Sequence, residues 1–146
     1  MQTNPNAPVW QSAQMHVQAA PETVWSVLTE VHQWPVWHAA ISQAAIGSAA
    51  APGVPFRWKI RSSVIRSVFH TVQPCTRLGW SGITFGGSAI HNWVLTPDTA
   101  GTLVQVEESM DGWLIRLFRR QMNTLLAADM QEWLESLKRR CEAAAG

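Results

Sequence analysis

From Trp113 to about Cys141 the chain repeats apolar residues at helical spacing. Leu114, Leu117, Phe118, Met122 and Leu126 open the stripe, and Met130, Trp133, Leu134, Leu137 and Cys141 continue it. Arg116, Arg119, Arg120, Asp129, Glu132 and Glu135 mostly fall off that face. At about 1.5 Å per residue such a helix is roughly 40 Å long. A helix of that length with one apolar face needs an extended partner to cover it. Asp111-Gly112 ends the preceding segment, and Asp111 is the expected N-cap.

The partner is legible upstream as a series of strands. In 55–61, Phe56, Trp58 and Ile60 alternate with Arg57, Lys59 and Arg61, the pattern of a half-buried antiparallel strand. Further strands are predicted over 9–18, 42–47, 63–73, 77–84, 88–97 and 102–110. In 88–97 the alternation puts His91, Trp93 and Leu95 on one face and Ile90, Asn92 and Val94 on the other. In 102–110, Val104, Val106 and Glu108 share a face opposite Gln105 and Glu107. One residue of register slip would exchange the two glutamates. Pro21 suits the first turn of a helix over 21–30, and 33–40 forms a second short helix or turn. The fold class is α+β: a curved antiparallel sheet of six to seven strands around one long C-terminal helix. Residues 1–146 form a single domain, with no internal repeat and no linker longer than the loop 44–55.

Composition narrows the function. Charged residues make up 14% of the chain, against about 25% in an average domain. With 11 Lys+Arg and 10 Asp+Glu there is no concentrated basic face for phosphates, so nucleic acid is not an expected partner. No apolar run reaches about 18 residues, so no stable membrane insertion is expected. The N-terminus has no signal-peptide pattern, and the two cysteines, Cys75 and Cys141, do not make a disulfide scaffold. A cytoplasmic protein with reduced thiols is expected. Nine Trp, four Phe and no Tyr leave many indoles to place and no phenolic acid.

Several segments together resemble a known superfamily. They are PETVWSVLTEVHQWPVWHAAI, PGVPFRWKI, the GWSG strand at 79–82, HNW at 91–93 and GTLVQVEESMDGW running into the last helix. The pattern resembles the helix-grip (SRPBCC) superfamily of START lipid-transfer domains, Bet v 1-like proteins and polyketide cyclase/dehydrase-like proteins, and within it a bacterial subgroup of the last kind. The likeness spans Val9 to about Ala145, and none of its strings is a catalytic signature. The resemblance implies a cavity between sheet and C-terminal helix that takes a hydrophobic small molecule, without cofactor or metal.

Candidate site residues follow from the faces. Trp37, Trp58, Trp80, Trp93 and Trp113 are expected inward or at a cavity mouth, as an aromatic box or as core filling. His91 on the apolar face is a candidate base or ligand anchor. His38 is expected at the entrance. Glu108 facing inward needs a partner, either His91 or an inward Arg such as Arg66. A His91–Glu108 acid–base pair is the sharpest catalytic expectation. Met110, Met122 and Leu126 complete the expected ligand contacts. His38, His91 and Glu108 are too scattered for a metal site. The Gly47–Gly53 loop and the Gly86-Gly87 turn are expected to move for entry. Binding of a lipid- or polyketide-like molecule is the first expectation and a cyclase/dehydratase the second. The third is a regulatory module like the Hsp90-activator branch. A monomer or homodimer is expected.

Overall fold

A computed structural model describes residues 1–145, so Gly146 of the expected 1–146 domain lies outside the described residues. Strand β1 (Val9–Val17) leads into helix α1 (Pro21–Thr29), a single 3-10 turn (Val31–Gln33) and helix α2 (Trp34–Trp37). Six more strands follow: β2 (Ile41–Ile46), β3 (Pro55–Ile60), β4 (Ser63–Gln73), β5 (Arg77–Thr84), β6 (Gly87–Asp98) and β7 (Gly101–Asp111). They form one antiparallel sheet of seven strands in the order β1-β7-β6-β5-β4-β3-β2. Strand β1 closes onto β7, so every connection from β2 to β7 is a hairpin between neighbours.

The alternation in the sequence is the alternation in the structure. Phe56, Trp58 and Ile60 are buried while Arg57 is exposed. His91, Trp93 and Leu95 are buried, and Ile90, Asn92 and Val94 only partly so. Helix α4 (Arg119–Ala145) lies on this inner face. Its Leu126, Met130, Trp133, Leu134, Leu137 and Cys141 are all buried, the stripe that the spacing predicts.

The core is aromatic at its centre. Trp34 of α2 is fully buried, and its indole N–H donates to the Leu28 carbonyl at 3.1 Å. It meets Phe56, Trp58 and Trp133 edge-on, with centroids 5.2–5.6 Å apart. Such pairs contribute about 0.5–1.5 kcal/mol each beyond the area they bury. Pro35 sits in the first turn of α2, where its missing N–H leaves no bond unmade.

The long helix is not continuous. A short helix α3 (Trp113–Leu117) comes first, and the backbone departs from helical dihedrals at Phe118 (φ −110°, ψ 34°) before α4 begins. Helix α3 is tethered to the sheet. The Leu114 N–H donates to the Gly86 carbonyl in the β5–β6 turn at 3.1 Å. Gly86 (φ +72°) allows the approach, since a Cβ there would lie 2.5 Å from Leu114 Cβ. The bend at Phe118 lets α3 keep this contact while α4 packs on the sheet. The expected cap is displaced as well. Asp111 is the last residue of β7, and the N-cap is Gly112, with no side-chain cap bond. The Asp111 carboxylate instead accepts from Arg116 Nε at 2.7 Å and from the Gly112 N–H. The guanidinium holds that carboxyl down to about 2.

Replacing the central indole tests this packing. Trp34→Ala should cost about 3–5 kcal/mol, read as a lower urea midpoint; a loss under about 1 kcal/mol would show that Trp34 does not organise the core.

Candidate functional site

The inner face and the two C-terminal helices do not meet along their whole length. Between them lies a cavity of about 680 Å³. Trp58, Ile65 and Trp80 form its sheet wall, while Met122, Leu126, Met130 and Trp133 form its helix wall. Leu114, Ile115 and Phe118 of the α3 segment lie over it. Gly82, two residues beyond Trp80 on the same face, also lines it, and a Cβ there would press on Ile65 and Ser67 at 3.0 Å. At one end Arg61, in a left-handed backbone conformation (φ 51°), reaches from the β3–β4 turn to helix α4. Its guanidinium binds both Asp129 oxygens and stands 3.6 Å from Glu132. Arg61 and Asp129 both line the cavity, so an ion pair spans that end.

Trp133 is the hub of the wall. It faces His38, Trp93 and Trp58 with centroids 4.6, 5.7 and 5.9 Å away, and Trp34 and Trp37 lie at similar distances. Neighbouring rings meet mostly edge to face, which sets the positive rim of one indole against the negative face of another.

Set into this wall is one polar pair. His91 and Glu108 are directly opposed on β6 and β7, and Nδ1 of the imidazole lies 2.5 Å from Oε1 of the carboxylate. The imidazole is stacked between Trp80 (4.5 Å, 16°) and Trp93 (5.3 Å, 29°), which fix its plane. Its Nε2 is buried and has no hydrogen-bond partner among the described residues. A carboxylate only accepts, so Nδ1 carries the hydrogen of this contact and donates it to Glu108. The two side chains differ in access. The His91 side chain is 3% exposed and the Glu108 side chain 13%. Both side chains line the cavity, and the carboxylate is the more accessible of the two. Glu107 points the other way and accepts from the Thr3 hydroxyl at 2.8 Å, which settles the register between the two glutamates.

The structure brings Trp58, Trp80, His91, Met110, Met122 and Leu126 to this cavity together with Glu108. Trp93 lies behind His91, buried and away from the lumen. Trp37 and His38 sit on another side of Trp133 and do not line the cavity. His38 is not an entrance residue. It is 1% exposed, and its Nδ1 accepts the Ala40 N–H at 3.3 Å. Trp113 is not inward either. It lies in the short helix before the bend, exposed, with its ring edge-on to Phe85 at 5.8 Å. Arg66 is exposed on the outer face and does not reach Glu108. The Gly47–Gly53 loop does not line the cavity, and the Gly86-Gly87 turn is packed against α3. Sequence reasoning passed over Trp133 and Arg61 as site residues. The spacing of Trp133 from Met130 and Leu126 was the available signal for the first. Arg61 carried none, because its partner is 68 residues away. Cys141 is buried, which pushes its thiol up to about 12 and leaves it unreactive at neutral pH.

Comparison with known proteins agrees with this architecture. Residues 11–142 match the family described as polyketide cyclase / dehydrase and lipid transport. The chain belongs to that family, and its fold is the START-like helix grip. Hypothetical protein jhp0584 from Helicobacter pylori superposes with a TM-score of 0.83 at 13% identity, over 97% of this chain and 91% of that one. A START superfamily protein from Mycobacterium smegmatis gives 0.80 at 16% identity, over 92% and 98%. The di-domain ARO/CYC StfQ of the steffimycin biosynthetic pathway gives 0.79 at 18%, over 94% of this chain and 52% of that one. No curated protein matches the chain. Among the described residues no helix is long and apolar enough to cross a membrane.

The buried histidine makes stability depend on pH. Burial pushes the His38 imidazole below its ordinary 6.5, and nearby Arg61 acts in the same direction, against the pull of Glu132 and Asp129. His70 is lowered too, first by burial. The unfolded chain then takes up protons on acidification before the native state does, so stability is lost as pH falls below about 6.5. Urea midpoints between pH 8 and pH 5 (a span around the ordinary histidine value) should fall in the wild type and fall less in His38→Asn. Parallel curves would contradict the assignment.

Proposed function

We propose that this protein binds a hydrophobic, flat or flexible small molecule, lipid- or polyketide-like, in the cavity between the sheet and the α3–α4 helices. One observation carries the reading: a lumen of about 680 Å³ with indole, thioether and aliphatic walls, the Glu108 carboxylate in its sheet wall and the Arg61–Asp129 pair at one end. That volume falls within the range of small-molecule sites, about 300–1,000 Å³. Covering about 300 Å² of apolar ligand surface at about 25 cal/mol per Å² contributes roughly 7 kcal/mol before association entropy is subtracted. The walls then supply affinity. Glu108 supplies orientation, by accepting a hydrogen bond from a ligand hydroxyl or amide. Met110, Met122 and Met130 are unbranched and polarisable, suited to moulding around differently shaped ligands. The family description, which names both lipid transport and cyclase/dehydrase activity, is consistent with such a ligand.

The His91–Glu108 contact favours a second reading, a cofactor-independent cyclase or dehydratase. In that case Glu108 is the base that takes a proton from carbon next to a ligand carbonyl. His91 is the positioning residue, because its free nitrogen is sealed. A regulatory module with a filled interior has less support, since the lumen is open.

N-phenyl-1-naphthylamine, which fluoresces in apolar surroundings, tests the first reading. The wild type should enhance its emission saturably. Met122→Trp, which fills the lumen, should weaken binding about tenfold or more. Equal binding by both would place the probe elsewhere and overturn the assignment. Incubation of 2-tetralone with the protein in D2O tests the second reading. Faster exchange of the protons next to the carbonyl, abolished in Glu108→Gln, is its expected result; exchange at the buffer rate would remove it.

A further inference from the structure

Four ionisable side chains line the lumen: Arg61, His91, Glu108 and Asp129. Arg61 is the only lysine or arginine among them, and it is already engaged. Its guanidinium binds both Asp129 oxygens and has Glu132 at 3.6 Å. A ligand anion at that end would meet two carboxylates around the one cation. The Trp58 N–H is no donor for such an anion either, because it is spent on Ser67 Oγ at 3.1 Å.

Glu108 is differently placed. Among the described residues no lysine or arginine pairs with it, and its side chain makes one hydrogen bond, from His91 to Oε1. The sheet register explains the vacancy at its second oxygen. Glu108 lies between Gln11 of β1 and His91 of β6, with Trp80 of β5 next in the row. Gln11 directs its amide to Asn123 Oδ1 at 3.2 Å, so Oε2 receives no donor from β1. A carboxylate only accepts hydrogen bonds. A ligand end that donates can therefore pair with Oε2, and a second carboxylate is repelled there whatever proton His91 carries.

We infer that the ligand of this cavity is an apolar amine, bound as its ammonium with an N–H directed at Glu108 Oε2. This rests on the ligand-binding reading and names its ligand class: a hydrophobic skeleton ending in a cationic nitrogen, in preference to the corresponding acid. An acid and an amine of equal size bury equal apolar area, so the walls alone do not separate them. Glu108 and the occupied Arg61 do. An ammonium gives Glu108 the counter-charge that no side chain supplies, which offsets the cost of taking both charges out of water. The indole walls act in the same direction, since their rings attract cations.

Displacement of N-phenyl-1-naphthylamine by three compounds that differ only at one end tests the inference. They are 1-naphthylmethylamine, 1-naphthylmethanol and 1-naphthoate, at neutral pH a cation, a neutral donor and an anion. The amine should displace the probe at a concentration about tenfold below that of the acid, the worth of one charged hydrogen bond, with the alcohol between them. Glu108→Gln should erase the gap between amine and acid. The ratio is taken within each variant, so a general loss of affinity does not enter, and the wild-type order stands as a test even if the variant does not fold. An acid that matches the amine would overturn the inference. So would an alcohol equal to the amine, or an amine preference that survives Glu108→Gln. In those cases the probe still binds and the ligand-binding reading stands. A wild type that does not bind the probe would instead remove that reading, and this inference with it.

Discussion

The packing of Trp133 against the sheet is the interaction on which the rest of this structure depends. One indole from helix α4 touches rings contributed by α2, β3, β5 and β6. It thereby ties the apolar face of α4 to four other elements at one point of a contact that runs along the helix. Indoles are large, and when they meet edge to face they leave gaps that flat groups cannot close. Next to this hub, toward α3, the wall changes from Trp to Met, Leu and Gly82, and the lumen opens. The protein thus fills one half of its interior with aromatic rings and keeps the other half open.

The same hub explains the polar pair. An imidazole stacked between two indoles, with an edge-on third, cannot rotate without displacing one of them. Its orientation is therefore set by packing, and its one satisfied nitrogen is set on Glu108. Charge in an apolar wall is tolerated when it is hydrogen-bonded and reaches some solvent. Glu108 meets both conditions, and His91 provides the first. The carboxylate is the more accessible member of the pair and the imidazole the more buried one.

Much of this was legible in the chain itself. The strands and the two short helices after β1 follow from alternation and turn residues, because a sheet with one wet face writes its pleat into the sequence. The inward direction of His91 and Glu108 follows from the same alternation, and their direct opposition from strand pairing. The errors have a common physical origin in contacts between distant segments. The apolar stripe continues unbroken through Phe118, yet the helix breaks there, next to the segment that is bonded to the distant Gly86 carbonyl. The bend turns Trp113 outward. His38 looked like a polar residue in an exposed turn, but the Trp133 ring covers it. Arg61 sat in a pattern of outward cations, and only the helix beyond it reveals its partners. Local periodicity reports which face is apolar; it does not report which tertiary neighbour covers a particular turn.

The central claim is that a hydrophobic molecule lies between Trp80 and Trp133 with its polar end at Glu108. A crystal structure of the protein with N-phenyl-1-naphthylamine tests that most directly. The account predicts ring density within van der Waals contact of Trp80, Met122 and Trp133, with the secondary amine directed at the Glu108 carboxylate. A probe bound outside the lumen, or a lumen closed by its own side chains, would contradict it.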